Sequence, residues 1–233
     1  MMHILLTRPL DDCKDLMIRF KSLGHKVSHL PVIKIEPIKY EQPDFNDYKG
    51  IIFTSANAVK NLDLKNIDKK IICFCVGSAT EKIVKQNGFQ NIFCADGNVN
   101  NLKEIILQNF NRNHGSLLYV SGQIISSNLD RDLITEGYSV KRIVNYNAIS
   151  IEEISEEFVK DLKSLIPDMI FIYSENSARN YLNLLKKYDL TDIWMNTNLI
   201  CLGEKTSSIL NEIKWKKIFL FNPGEEEFLL YKI

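Results

Sequence analysis

Serine, threonine and glycine recur at one kind of place in this chain, directly after a short apolar run. Thr54 and Ser55 follow GIIF, Gly77 and Thr80 follow CFCV, and Ser121 and Gly122 follow LLYV; Ser174 follows IFIY, Gly203 and Thr206 follow LICL, and Thr7 follows HILL. Each of these residues is an ordinary cap for a helix that starts where a strand ends. In an open parallel sheet the same edge is also where ligands bind, and every helix N-terminus there offers amide N–H groups without intrahelical partners. A hydrogen bond to a charged group contributes about 1.5–3 kcal/mol net, whereas the helix dipole alone adds about 0.3–1 kcal/mol. Several such donors facing one cleft could therefore hold a polyanion without a basic patch. The charge balance fits, with 29 Lys plus Arg against 29 Asp plus Glu. No global field steers such a protein to nucleic acid or to an anionic membrane.

Other chemistries lack support. There is no G-x-G-x-x-G and no G-x-x-x-x-G-K, so no nucleotide cofactor is expected. His3, His25, His29 and His114 form no ligand-spaced pair and no triad. The five cysteines (Cys13, Cys73, Cys75, Cys94, Cys201) are scattered, mostly within apolar runs, and read as small buried hydrophobes of a reducing cytoplasm. Cys73 and Cys75 fall short of zinc spacing and lack further ligands, so no metal is expected. The start, MMHILLTRPLDD, has no basic leader, and no apolar run approaches the ~18 residues of a membrane span. These readings predict a soluble, cytoplasmic protein; a monomer is the expected state, although nothing in composition or spacing bears on it.

The elements that must place these residues are duplicated. GIIFTSANAV (Gly50 to Val59) matches MIFIYSENSAR (Met169 to Arg179), and CVGSATEKIVKQNGFQNIF (Cys75 to Phe93) matches CLGEKTSSILNEIKWKKIF (Cys201 to Phe219). A looser pair is HILLTRPLDDCKDLMIRFKSLGHKV and SLLYVSGQIISSNLDRDLITEGYSV. Apolar runs at His3–Leu6, Ile51–Thr54, Ile71–Val76, Leu117–Val120, Ile170–Tyr173, Leu199–Leu202 and Ile218–Phe221 read as strands buried on both faces. Val27–Ile35 reads as one further strand, Val140–Ile149 as an extended, partly polar segment. Between them lie helical stripes: Cys13, Leu16, Phe20 and Leu23; Leu102, Ile105, Ile106 and Phe110; Leu129, Leu133 and Ile134; Ala178, Tyr181, Leu182 and Leu185; Ile209, Leu210 and Ile213. Pro9 suits a first helical turn, and Ser78 with Glu81 has capping-box spacing.

Strands alternating with helices imply parallel sheets covered on both faces. The expected fold is therefore α/β, with two related doubly wound parallel-sheet domains joined by a two-stranded linker. Residues 1–35 plus 150–233 would form one discontinuous domain and 38–146 the other, with linkers near 33–40 and 144–151. The second linker runs into Glu152, Glu153, Glu156 and Glu157, an acidic first helical turn.

The ordered set LLTRP, IIFTSANAV, VGSAT, a strand entering SG, IVNY, IYSENSA and LGEKT resembles the uroporphyrinogen-III synthase family over essentially the whole chain. The resemblance implies an enzyme of porphyrin and heme biosynthesis. Its members close linear hydroxymethylbilane, a tetrapyrrole with acetate and propionate groups on every ring, into uroporphyrinogen III. Water is lost, the last pyrrole is inverted and no cofactor is used. Carried over motif by motif, the resemblance makes Tyr146 of IVNY the group that assists loss of the substrate hydroxyl; read without it, Tyr146 is an aromatic packing at a linker. Arg8, Thr54, Ser55, Gly77, Thr80, Ser121, Gly122, Ser174, Gly203 and Thr206 become the candidate substrate-binding residues. Family members often carry proline where this chain has Glu175 and Glu204, and carboxylates there would repel a polyanion unless they point away.

The implied reaction needs orientation more than a strong acid–base pair. Departure of the hydroxyl leaves an azafulvene, and the substituted carbon of the last pyrrole must meet it to form a spiro intermediate. Two rivals are a non-enzymatic two-domain sensor for a small anion and a glycosyltransferase, for which each half is short and carries no nucleotide signature.

Overall fold

Most of the apolar runs become strands because both of their faces find helices to cover them; the run at Ile218–Phe221 does not, since its strand lies at a sheet edge with Ile218 and Leu220 exposed. The computed structural model describes residues 1–96, 98–222 and 225–231, so the expected end of the discontinuous domain at 232–233 lies outside the described residues. In chain order the elements are β1 (His3–Leu6), α1 (Leu10–Ser22), β2 (Lys26–His29), β3 (Ile33–Pro37), β4 (Tyr48–Phe53), α2 (Ala56–Lys60), β5 (Ile72–Val76), α3 (Ser78–Gln86), β6 (Asn91–Ala95) and α4 (Val99–Asn109). They continue with β7 (Ser116–Gly122), α5 (Leu129–Thr135), β8 (Val140–Ser150), α6 (Glu156–Ser164), β9 (Met169–Ile172), α7 (Glu175–Lys187), β10 (Asn198–Cys201), α8 (Glu204–Ile209), β11 (Lys217–Leu220) and α9 (Glu226–Leu229).

Two compact units result, Met1–Lys34 with Ile149–Ile233, and Ile35–Ala148. The first holds a sheet of order β11-β10-β9-β1-β2, the second a sheet of order β6-β5-β4-β7-β8 with β3 added at the edge beside β8. The five matching strands of each sheet pair in parallel throughout. The three sequence repeats thus map strand for strand: β4 onto β9, β5 and β6 onto β10 and β11, β7 and β8 onto β1 and β2. This is the doubly wound order that reverses direction once. The reversal falls between β1 and β9 in one unit and between β7 and β4 in the other.

Alternation along each strand sends neighbours to opposite helical layers. In the first sheet Leu5, Ile170, Ile172, Leu199 and Cys201 pack with Tyr181 and Leu185 of α7, while Ile4, Leu6, Met169, Phe171 and Ile200 pack with Cys13 and Phe20 of α1. In the second, Ile51, Phe53, Cys73, Cys75, Leu118 and Val120 meet Ala58 and Val59 of α2 and Val84 of α3; Ile52, Phe74, Leu117 and Tyr119 meet α4 and α5. The chain leaves and re-enters the first unit through β3 and β8. Ile38 N–H donates to Asn145 O (2.9 Å) and Ile151 N–H to Val32 O (3.0 Å), a pairing that runs antiparallel and makes this connection two-stranded.

Several local expectations are corrected. The single strand expected over Val27–Ile35 is two, β2 and β3, in different sheets; Pro31 has no N–H for a ladder and the chain turns there. Ser78 does not cap α3. Gly77 is the N-cap, with φ +80, and Glu81 reaches forward to Lys85 at 2.7 Å. Pro9 is likewise the N-cap of α1, not its first residue. Leu23 and Ile134 are exposed, because one lies past the last turn of α1 and the other beside Leu133, which takes the inward place on α5. Helix α8 stops at Ile209, so Leu210 and Ile213 are buried from the turns that follow it. Among the described residues no helix is long and apolar enough to cross a membrane, and no cluster of three or more His, Cys, Asp or Glu is placed to hold a metal.

Candidate active site

In open α/β sheets the carboxyl ends of the strands at a topological reversal are where ligands bind, and most of the expected residues lie there or at the helix starts beside it. In the unit built on β4 and β7, Thr54 Oγ1 and Tyr119 Oη are 3.1 Å apart. Ser55 caps α2 by accepting from Asn57 N–H at 3.2 Å. Arg142, on β8 opposite Tyr119, lies with its guanidinium 5.9 Å from the Tyr119 ring centre. Burial pushes the Tyr119 phenol above its ordinary pKa, while the Thr54 hydrogen bond and the Arg142 charge pull it back. Among the described residues no carboxylate is ion-paired with Arg142. Its Nε donates to Ser121 Oγ at 2.7 Å and its Nη2 to the carbonyls of Gly122 and Gln123 at 2.9 and 3.4 Å.

Ser121 and Gly122 lie inside β7 and are buried, rather than past the strand end. The Ser121 hydroxyl already serves Arg142. Gly122 lies under Tyr146: a Cβ built on it would come within 2.6 Å of Tyr146 Cζ and 2.9 Å of its Oη. Tyr146 is 9% exposed and packs on the α2 and α3 side of the sheet, among residues such as Phe53, Val120 and Ile143.

That face is a consequence of a register shift. Ser121 pairs with Val144 but Gly122 pairs with Tyr146, so β8 carries one extra residue, Asn145. Simple alternation would put Tyr146 on the same face as Val140 and Arg142; the bulge turns it to the other. Asn145 is fully buried, and its Nδ2 donates to Ala58 O at 2.8 Å.

The two Gly-x-x-Thr turns have the same conformation. Gly77 and Gly203 are the N-caps of α3 and α8 with φ +80 and +81, a left-handed geometry that favours glycine. Thr80 and Thr206 are buried in the first turns that follow, while Ser78, Ala79, Glu204 and Lys205 are exposed. The threonines are thus the buried members of these first turns, and their neighbours are the exposed ones.

In the unit built on β1 and β9, Arg8 places its guanidinium 4.7 Å from the Tyr173 ring centre and 3.8 Å from Asp12 Oδ2. Thr7 Oγ1 donates to Phe171 O at 2.6 Å, tying the two central strands together at the reversal. Ser174 caps α7, accepting from Ser177 N–H at 3.1 Å and donating to Ser177 Oγ at 2.9 Å. Glu175 lies 3.4 Å from Arg179 one turn along α7, and Glu204 is exposed at the start of α8.

Sequence reading missed Tyr119, Tyr173 and Arg142. A signal for Arg142 was present: it is an arginine within a β-strand, four residues before Tyr146. Its partners on β7 were not visible until the strands were paired.

A family model described as uroporphyrinogen-III synthase HemD matches residues 14–220. A porphyrin biosynthesis protein HemD of Ruminiclostridium josui is 24% identical over 221 residues, covering 88% of this chain and 42% of that protein, so the chain spans less than half the length of this curated relative. The uroporphyrinogen-III synthetase structure from Helicobacter pylori aligns over 100% of both chains with a TM-score of 0.65 at 21% identity. A mutant uroporphyrinogen III synthase from Thermus thermophilus aligns over 100% of this chain and 98% of its own with a TM-score of 0.57 at 15% identity. These two likenesses establish the shared fold, and the family match takes in residues of both units. The chain belongs to the uroporphyrinogen-III synthase HemD family.

Proposed function

We propose that this chain closes linear hydroxymethylbilane into uroporphyrinogen III, the function of its family, with loss of water and inversion of the last pyrrole. The observation that carries the reading is the repeated sheet edge. Both units place a cap serine and a Gly-x-x-Thr helix start at the carboxyl ends of their strands, and each has an arginine guanidinium near a tyrosine ring, at 4.7 Å for Arg8 and Tyr173 and 5.9 Å for Arg142 and Tyr119. Acetate and propionate groups suit such donors, since carboxylates are stabilised by helix N-termini and by guanidinium groups.

In this reading Arg8, Thr54, Ser55, Ser174 and the first turns at Gly77–Thr80 and Gly203–Thr206 receive substrate carboxylates. Ser121 and Gly122 serve through Arg142 and Tyr146. Tyr146 donates to the departing hydroxyl, a contribution typical of general acids at about 10²–10⁴-fold. Glu175 is drawn toward Arg179 and Glu204 toward solvent, which lessens their repulsion of an anionic substrate. The two compact units act as the two folding domains, and the enzyme works as a cytoplasmic monomer, its five cysteines free.

The test is to supply hydroxymethylbilane and resolve the product isomers. Accumulation of the III isomer is expected; exclusive formation of the I isomer, which arises by unassisted closure, would refute the activity. With Tyr146→Phe, turnover is expected to fall about tenfold or more with folding unchanged. Activity near wild type would remove Tyr146 from the mechanism.

A further inference from the structure

Tyr146 owes its place to a bulge, and the bulge is held from both faces of the sheet. On the α2 side, Asn145 Nδ2 bonds Ala58 O at 2.8 Å, and along the sheet edge Asn145 O accepts from Ile38 N–H at 2.9 Å. On the opposite side, Arg142 reaches along β7 and binds Ser121 Oγ, Gly122 O and Gln123 O. Those three residues span the register shift. Gln123 N–H closes the loop by donating to Tyr146 O at 2.9 Å, and Gly122 supplies the surface on which the phenol ring rests.

We propose that Arg142 is a positioning residue for Tyr146. Its planar fork fixes the end of β7, and that strand end fixes the phenol. A surface cation would need none of this. Arg142 is half-buried, spends three hydrogen bonds on neutral acceptors of a single strand end, and sits over Tyr119 in place of a carboxylate partner. A lysine could keep the charge but not the fork, because an ammonium group is a point donor on a flexible stem. The role assigned to Tyr146 rests on the function proposed above; the placement of Tyr146 by Arg142 does not.

The experiment uses the full chain as wild type, Arg142→Met, Arg142→Lys, Tyr146→Phe and the double variant Arg142→Met/Tyr146→Phe. Product isomers are resolved, and ¹⁹F spectra are taken with fluorotyrosine, the Tyr146 resonance being the one lost in Tyr146→Phe. A positioning role predicts that Arg142→Met lowers kcat about tenfold or more with KM within about threefold, and that Arg142→Lys does not restore it. In the Tyr146→Phe background the same change should cost less than about twofold, since the two residues act as one unit. The Tyr146 resonance should shift or broaden in Arg142→Met while the thermal midpoint still reports a folded protein.

A raised KM with kcat kept and rescue by lysine would overturn the proposal and make Arg142 a direct carboxylate ligand. Additive effects in the double variant would also overturn it. If the wild type forms no III isomer, the functional reading falls and the spectra decide alone: a displaced Tyr146 resonance upholds the placement, and an unchanged one overturns it. If Arg142→Met does not fold, Arg142→Lys carries the same comparison.

Discussion

Replacing Gly122 by alanine should separate the placement of Tyr146 from the stability of the fold. The added Cβ would lie 2.6 Å from Tyr146 Cζ, 2.8 Å from Cε2 and 2.9 Å from Oη. Ordinary carbon–carbon contact is about 3.5–4.0 Å, so the ring must recede by roughly 1 Å. Gly122 is not in the left-handed region, so the cost is steric and not conformational. The ring cannot recede freely, since it is 9% exposed and backed by the core that includes Phe53, Val120 and Ile143. Overpacking of this kind typically costs about 1–3 kcal/mol; at about 2–4 °C per kcal/mol for a chain of this size, Tm should fall by about 2–12 °C. If Tyr146 faces the reacting centre, a shift of about 1 Å should also cost on the order of 10²-fold in turnover. Gly50→Ala is the comparator. Its Cβ would come equally close, 2.6 Å, to Leu117 Cδ2, a residue of the opposite core. It should lose stability and keep kcat. Differential scanning calorimetry and isomer-resolved turnover on both variants make the measurement. Gly122→Ala with wild-type turnover and an unchanged Tm would refute the reasoning, and so would Gly50→Ala losing turnover in parallel with Gly122→Ala.

The other expectations are smaller. Ser174→Ala removes the cap of the thirteen-residue helix α7 and should cost about 0.5–2 kcal/mol in denaturant unfolding; Ser174→Asp, which can still accept from Ser177 N–H, should recover most of it. His3 is buried with Nε2 2.7 Å from Ser28 Oγ, and burial, followed by Lys26, lowers its pKa below 6.5. The unfolded chain therefore binds this proton more readily, so the contribution is present above about pH 6.5 and is lost as the pH falls below it. Unfolding midpoints at a series of pH values should show the decline, and His3→Gln should flatten it. Thr80→Val and Thr206→Val keep shape while removing the hydroxyls of two residues that are 4% and 3% exposed. If those hydroxyls organise the helix starts for substrate, KM should rise with kcat little changed, and steady-state kinetics will show whether it does.

The duplicated motifs were legible because each one is local. A run such as IIFTSANAV carries its own strand, its own cap and its own helix start, and its twin at Met169 carries the same, so the pairing of β4 with β9 as equivalents needs no coordinates. The caps were legible in part. Ser55 and Ser174 do cap, but Gly77 took the place expected of Ser78 because the left-handed turn comes one residue earlier. Leu23 and Ile134 misled for a related reason: apolar spacing states which residues could share a face, not where the helix stops.

What the amino-acid order determined by itself is the alternation of buried strands with helices, the internal duplication, and therefore a doubly wound α/β fold with polar donors at the strand ends. These follow from neighbours in sequence, through side-chain period and backbone preference. What only the tertiary structure decided is which strand ends adjoin and which face a residue takes: Thr54 beside Tyr119, Arg142 on the end of β7, and Tyr146 turned over Gly122 by one extra residue at Asn145. Those outcomes depend on register between segments far apart in the chain. A shift of one residue reverses every side chain beyond it, and no local pattern in IVNY records that the shift occurs.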